Sequence, residues 1–93
     1  MEYQTGTAIM LLGEFRDAES QVLVDVDNPV FRLYDEEYNL LDTTELTEDN
    51  HTGTGKYRYD KVFAKAGVYI YEFSGTLNNL PTLRRKAIQI KFV

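Results

Sequence analysis

Residues 56–74 read Lys56-Tyr57-Arg58-Tyr59-Asp60-Lys61-Val62-Phe63-Ala64-Lys65-Ala66-Gly67-Val68-Tyr69-Ile70-Tyr71-Glu72-Phe73-Ser74. Large apolar side chains recur at every second position on both sides of Ala64–Gly67, the period of a pleated strand rather than of a helix. Aromatic and β-branched residues dominate both runs, and the small residues between them supply a turn. The stretch predicts two adjacent strands. Tyr57 and Tyr59 share one face of the first, Tyr69 and Tyr71 one face of the second, and Phe63 and Phe73 have the same parity as the tyrosines beside them. The weight of large aromatics on that parity places the tyrosines in the core. The opposite arrangement would expose a row of tyrosine rings, suited to stacking sugars or lining a protein contact.

The same period extends outward. Thr7, Ile9, Leu11, Gly13 and Phe15 alternate with Ala8, Met10, Leu12 and Glu14, which predicts a long first strand over 5–15. Asp17-Ala18-Glu19-Ser20 reads as a turn and residues 21–24 as a short strand, which Asp25-Val26-Asp27-Asn28-Pro29 breaks, because proline donates nothing to a ladder. Residues 30–34 and 38–46 flank Asp35-Glu36-Glu37 as an antiparallel hairpin. Residues 47–55 are polar, turn-rich and without apolar period. Leu77-Asn78-Asn79-Leu80-Pro81 closes another hairpin before residues 83–92, where Ala87, Gln89, Lys91 and Val93 oppose Ile88, Ile90 and Phe92. No helix of useful length emerges. The expectation is one all-β domain over residues 1–93, a sandwich of about seven antiparallel strands. Its predicted core is Ile9, Leu11, Phe15, Phe31, Leu33, Tyr57, Tyr69, Tyr71, Phe73, Ile88 and Ile90.

Ala66-Gly67-Val68-Tyr69-Ile70-Tyr71 resembles the Gly-x-Tyr-x-Cys segment of immunoglobulin-like domains, with Tyr69 at the tyrosine-corner position and Tyr71 where many members carry the second cysteine. The family's disulfide and packing tryptophan are absent, since the chain has neither Cys nor Trp. The wider layout adds Phe15-Arg16-Asp17, Asn28-Pro29-Val30, Tyr34-Asp35 and Gly55-Lys56-Tyr57-Arg58-Tyr59. With these it resembles disulfide-free immunoglobulin-like modules of tailed-phage virion proteins, macroglobulin-type domains and bacterial surface proteins. The resemblance implies the sandwich, and a role in assembly or binding.

Charge is unevenly placed. Residues 1–55 hold 13 acids and only Arg16 and Arg32, whereas residues 56–93 hold 8 bases and only Asp60 and Glu72, for a net charge of −5. The negative sum argues against nucleic-acid binding, which rests on neutralising phosphates. Two arrangements fit the asymmetry. Acidic and basic strands lie side by side and pair across the sheet, or the module docks its acidic face on a neighbour's basic one. Asp35, Glu36 and Glu37 in the hairpin turn, and Arg84, Arg85 and Lys86 in the one basic run, are the candidate partner contacts. On a strand Arg84 and Lys86 share a face opposite Arg85, and such bases also guard an edge against strand addition.

Catalytic and cofactor signatures are missing. Without cysteine there is no thiol nucleophile or thiolate zinc site, and Ser20 and Ser74 lie in no Gly-x-Ser-x-Gly elbow. His51 is the single histidine. Gly53-Thr54-Gly55-Lys56 leads into a strand, whereas a phosphate cradle needs a helix N-terminus. Asp25, Asp27 and Asn28, with Asp35, Glu36 and Glu37, offer oxygen ligands of the kind calcium takes, but in no EF-hand spacing, so they read as a solvated acidic rim. Glu48, Asp49 and His51 read as exposed loop residues. A chain this short buries only about 60–65% of its unfolded surface and has little room for an enclosed active site.

The expectation is a non-enzymatic structural or interaction module without cofactors or metal. In its sharper form it is a small virion protein of a tailed phage, a head-decoration, head–tail connection or fibre-associated subunit docking on other protein subunits, copies of itself included. The alternative is a carbohydrate-binding domain of a secreted or surface protein. No apolar run reaches the roughly 20 residues of a membrane span, and the opening Met1-Glu2-Tyr3-Gln4-Thr5-Gly6 lacks a signal-peptide pattern. The expected location is therefore virion or cytoplasm, without membrane insertion.

Overall fold

The computed structural model describes residues 2–6 and 8–91. Among them the chain forms β1 (Glu2–Gln4), β2 (Ala8–Glu14), β3 (Asp27–Asp35), β4 (Leu40–Glu45), β5 (His51–Gly53), β6 (Lys56–Val62), β7 (Gly67–Leu77) and β8 (Leu80–Lys91), with a short 3-10 turn over Glu48–Asn50. Five strands form one sheet in the order β1-β8-β7-β3-β4, and three form the other, β2-β6-β5. The all-β expectation holds, with eight strands among the described residues in place of about seven. The strand pairs are antiparallel except β1, which runs parallel to the end of β8.

Each departure from the expected strands has a local backbone cause. The first strand is divided. Thr5 N–H bonds to the Lys91 carbonyl in the large sheet, and Gly6 N–H bonds to that of Phe63 beside the small one. Gly6 has φ +77°, a conformation that glycine reaches without strain, so the chain changes sheets there. Thr7, expected at the head of that strand, and Phe92 and Val93, expected at the end of the last, lie outside the described residues. Residues 21–24 form no strand; only Leu23 bridges to Arg16. Asp17 accepts from the Glu19 and Ser20 amides at 3.0 Å and ties that segment into a turn. Asn28-Pro29 lies inside β3 rather than ahead of it, at a register shift between Asp27 and Val30 where Asn28 has φ +50°. The bulge absorbs the donor that proline lacks. Asn78 and Asn79, both at positive φ, form the two-residue turn of the β7–β8 hairpin.

The two sheets pack through the odd-numbered residues of β2, β3, β6 and β7. Phe31 stacks on Tyr59 at 4.2 Å between centroids and meets Phe73 edge-on at 5.4 Å. Every residue of the predicted core is buried except Tyr69, which is half-buried; Val26, Phe63 and Ile70 are buried as well. Tyr57 is 4% exposed and Tyr71 7%, so the tyrosine rows face inward and no outer tyrosine ladder forms from them. Tyr69 packs on Phe63 across the connection between β6 and β7, and its Oη donates to the Lys65 carbonyl at 2.9 Å.

Candidate functional site

Three strands do not cover five. Among the described residues β1 runs beside β8 only at Gln89–Lys91, so residues 80–87 of β8 have no strand on that side, and β2 has a strand neighbour only in β6. Between these two free edges lies an open slot of about 560 Å³. Its walls follow from strand parity. Ile88 and Ile90 point into the core, and Lys86 and Arg84 continue the same face of β8 beyond the cover of the small sheet. Cations therefore stand where a wider sandwich would continue its core. Opposite them, Gly13 lets β2 settle on Phe73, and the Tyr57 and Tyr71 rings form the floor.

The electrostatics of the slot are one-sided. Arg16, Lys56, Arg84 and Lys86 line it against the single carboxylate of Glu14. Arg84 Nε donates to the Glu14 carbonyl at 3.3 Å and spans the two edges. Arg16 bonds to the Gln21 carbonyl at 2.9 Å and lies 3.7 Å from the Glu14 carboxylate. The amines of Lys56 and Lys86 have no ion-pair partner among the described residues. Such a site suits an anionic, extended ligand lying along a strand.

The sequence candidates are divided among several places. Arg84 and Lys86 line the slot, while Arg85 lies on the outer face of the large sheet. There Arg85 donates to Glu72 Oε1 from Nη2 at 2.7 Å and from Nε at 3.3 Å, and its guanidinium sits over the Tyr38 ring. Arg32 binds the other Glu72 oxygen at 3.3 Å, which compensates a carboxylate only 4% exposed. Asp35 is occupied by its own turn. It accepts from the Glu37 and Asn39 amides and from Asn39 Nδ2, all at 2.9 Å, and these bonds, with Asn39 foremost, hold its carboxyl below the usual range. Glu36 and Glu37 are exposed at the tip without an ion-pair partner among the described residues.

The acidic loops hold no metal-type cluster among the described residues. Asp25–Asn28 and Asp35–Glu37 lie at opposite ends of β3, so they form no common site. His51 is half-buried rather than fully exposed and has a partner that sequence reading missed. Its Nε2 is 2.8 Å from Asp25 Oδ1, which also accepts from the Gly55 amide at 2.7 Å. Together these bonds, that from Gly55 first, hold the Asp25 carboxyl below its ordinary value. The nearby Tyr57 hydroxyl accepts from the Val26 amide at 3.2 Å. The pair fastens the 51–55 segment to the 25–28 loop, and no serine or threonine hydroxyl bonds to His51 among the described residues. Sequence reading also missed Arg16 and Lys56 as slot residues. The visible signal was Arg16 itself, one of only two bases in the acidic half.

Comparison with known proteins places no relative beside this chain: no family model, curated protein or solved structure matches it.

Proposed function

We propose that the chain is a non-enzymatic immunoglobulin-like module that docks on other protein subunits, copies of itself included. Its sharper form is a small virion protein of a tailed phage, in head decoration, head–tail connection or fibre association. Strand order supports the immunoglobulin-like reading. β2-β6-β5 follows the B-E-D order, and β8-β7-β3-β4 follows the G-F-C-C′ order of a variable-type domain. The hydrogen bond from Tyr69 back to Lys65 has the form of a tyrosine corner, and Tyr71, two residues on, faces the core.

The observation that carries docking is the placement of charge across the large sheet. β8 carries Arg84, Arg85, Lys86 and Lys91 and no acid; β4 carries Asp42 and Glu45 and no base, beside the Asp35–Glu37 turn. Two strands, β7 and β3, separate them. Some charges do pair within the molecule, as Lys61 with Asp42 at 3.3 Å and Arg85 with Glu72. Lys86, Lys56, Glu36 and Glu37 are left over, on opposite sides. Opposite charges on opposite edges suit head-to-tail docking, which closes into a ring or runs on as a filament.

A carbodiimide that joins lysine to carboxylate without a spacer tests this, on an equal mixture of nitrogen-15-labelled and unlabelled protein at low salt. Docking predicts mixed-isotope links from Lys86 or Lys56 to Glu36, Glu37 or Glu45. Links confined to single chains would contradict it. The carbohydrate-binding alternative needs outward tyrosines beside a groove. The tyrosines of residues 57–71 turn inward, which leaves that reading, among the tyrosines whose side chains are described, Tyr34 and Tyr38 on the far face.

A further inference from the structure

We propose that the slot is an unfilled strand position, taken on docking by an extended segment of a different protein chain that alternates acidic with apolar residues and pairs with β2. The inference rests on the docking reading and names the chemistry of one partner.

Three observations converge on it. First, the outer edge of β2 is guarded only at its end, where Arg84 bonds to the Glu14 carbonyl. Natural edges carry lysine, proline or a bulge against strand addition, whereas β2 reads Ala-Ile-Met-Leu-Leu-Gly-Glu and keeps an unbroken register with β6. Its outward backbone groups are the hydrogen-bonding template that added strands use. Second, parity dictates what such a strand must carry. Side chains beside Ile9, Leu11 and Gly13 would point inward between the sheets, reaching the slot at Gly13, and those beside Met10 and Leu12 would point to the outer face of the small sheet. The inward set meets Arg84 and Lys86, which stand across from Phe73 and Tyr71 on the inner face of β8, so it gains by being acidic. The outward set meets Met10 at 54% and Leu12 at 53% exposure, so it gains by being apolar.

Third, the protein's own acids are engaged or wrongly spaced. Val24-Asp25-Val26-Asp27 has the alternation, but Val26 is buried, Asp25 is held by the Gly55 amide and His51, and Asp27 belongs to β3. Asp42 and Glu45 of β4 are three residues apart and fall on opposite faces of the strand, and Glu36 and Glu37 belong to a closed turn. A second copy therefore does not supply the segment, although it docks through its edges.

The test uses the whole protein and a fluorescein-labelled peptide of alternating valine and glutamate, matching the seven residues of β2. Two further peptides separate charge from strand pairing: one with lysine for glutamate, and one with proline for the central valine. Anisotropy should show saturable binding of the first peptide. The lysine peptide, the proline peptide and the Lys86→Glu variant should each weaken it at least about tenfold, or 1.4 kcal/mol. Lys86 is exposed, so its replacement leaves the core in place. Amide shifts in the NMR spectrum should centre on residues 8–14. Equal binding of the proline peptide, shifts centred elsewhere, or no saturable binding would overturn the proposal. Mixed-isotope cross-links between copies, together with indifference to the peptide, would remove the slot and keep the docking reading.

Discussion

Gly13 lies so close to Phe73 that a β-carbon at Gly13 would stand 2.6 Å from Cγ of the ring. This approach sets the spacing of the sheets at the slot, and size rather than backbone conformation makes glycine necessary. Gly13→Ala should overpack the site and cost about 1–3 kcal/mol. Adding Phe73→Leu should recover part of that loss, so the two changes are not additive. Urea unfolding of both single variants and the double variant measures it; strict additivity would separate the two residues.

Phe73 is 1% exposed and packs edge-on against Phe31 and Tyr71. Phe73→Ala should cost about 3–5 kcal/mol, a large share of the roughly 5–15 kcal/mol available to a domain. A loss below about 1 kcal/mol would put this parity outside the core and restore the tyrosine surface.

The hydroxyl of Tyr69 fastens the connection between β6 and β7. Tyr69→Phe keeps the ring on Phe63 and removes the bond, at a cost of about 1 kcal/mol. Faster amide exchange confined to residues 64–69 is the expected signature. Unchanged exchange there would mean that the bond does not hold the connection.

Acid should loosen the attachment of the 51–55 segment. The folded Asp25 carboxyl is depressed by the Gly55 amide and then by His51. A depressed carboxylate contributes its stability above its unfolded value of about 3.9 and loses it as pH falls through the lower folded value. Asp17 and Asp35 act in the same direction. Urea midpoints should therefore fall as the solution is taken below about pH 4. Asp25→Asn should flatten that decline and leave the rest of the profile unaltered; an identical slope would show that Asp25 contributes nothing to it.

Glu72 is nearly buried between Arg32 and Arg85, whose side chains remain 36% and 43% exposed. Glu72→Gln removes the charge while keeping the volume. Because both arginines can return to water, the cost should be about 1–2 kcal/mol, below that of breaking a fully enclosed pair. Thermal unfolding at two salt concentrations checks this, and a salt-independent loss near zero would contradict it.

What was legible in the sequence was local. Alternation in residues 56–63 and 67–74 places Tyr57, Tyr71 and Phe73 on the core parity without any tertiary information, and Asn78-Asn79 marks its own turn. The division of the first strand was hidden, because the alternation of Ile9, Leu11 and Phe15 gives no sign that the backbone changes sheets at Gly6. Asn28-Pro29 looked like a strand breaker because a bulge that accommodates proline depends on the neighbouring strand. Arg84 and Lys86 could be placed on one face, but the slot exists only because the sheets differ in width, and strand counts per sheet are non-local. Asp25 and His51 are 26 residues apart and meet only after the sheets have packed.

Light scattering over a concentration series, at low salt and at about 1 M salt, tests the central claim that the module docks through its opposed charged edges. The account predicts a mass that rises above the monomer with concentration at low salt. It should return to the monomer at high salt, where the screening length is about 3 Å, and Lys86→Glu should hold it there throughout. A monomer mass at every concentration and salt would contradict docking between copies.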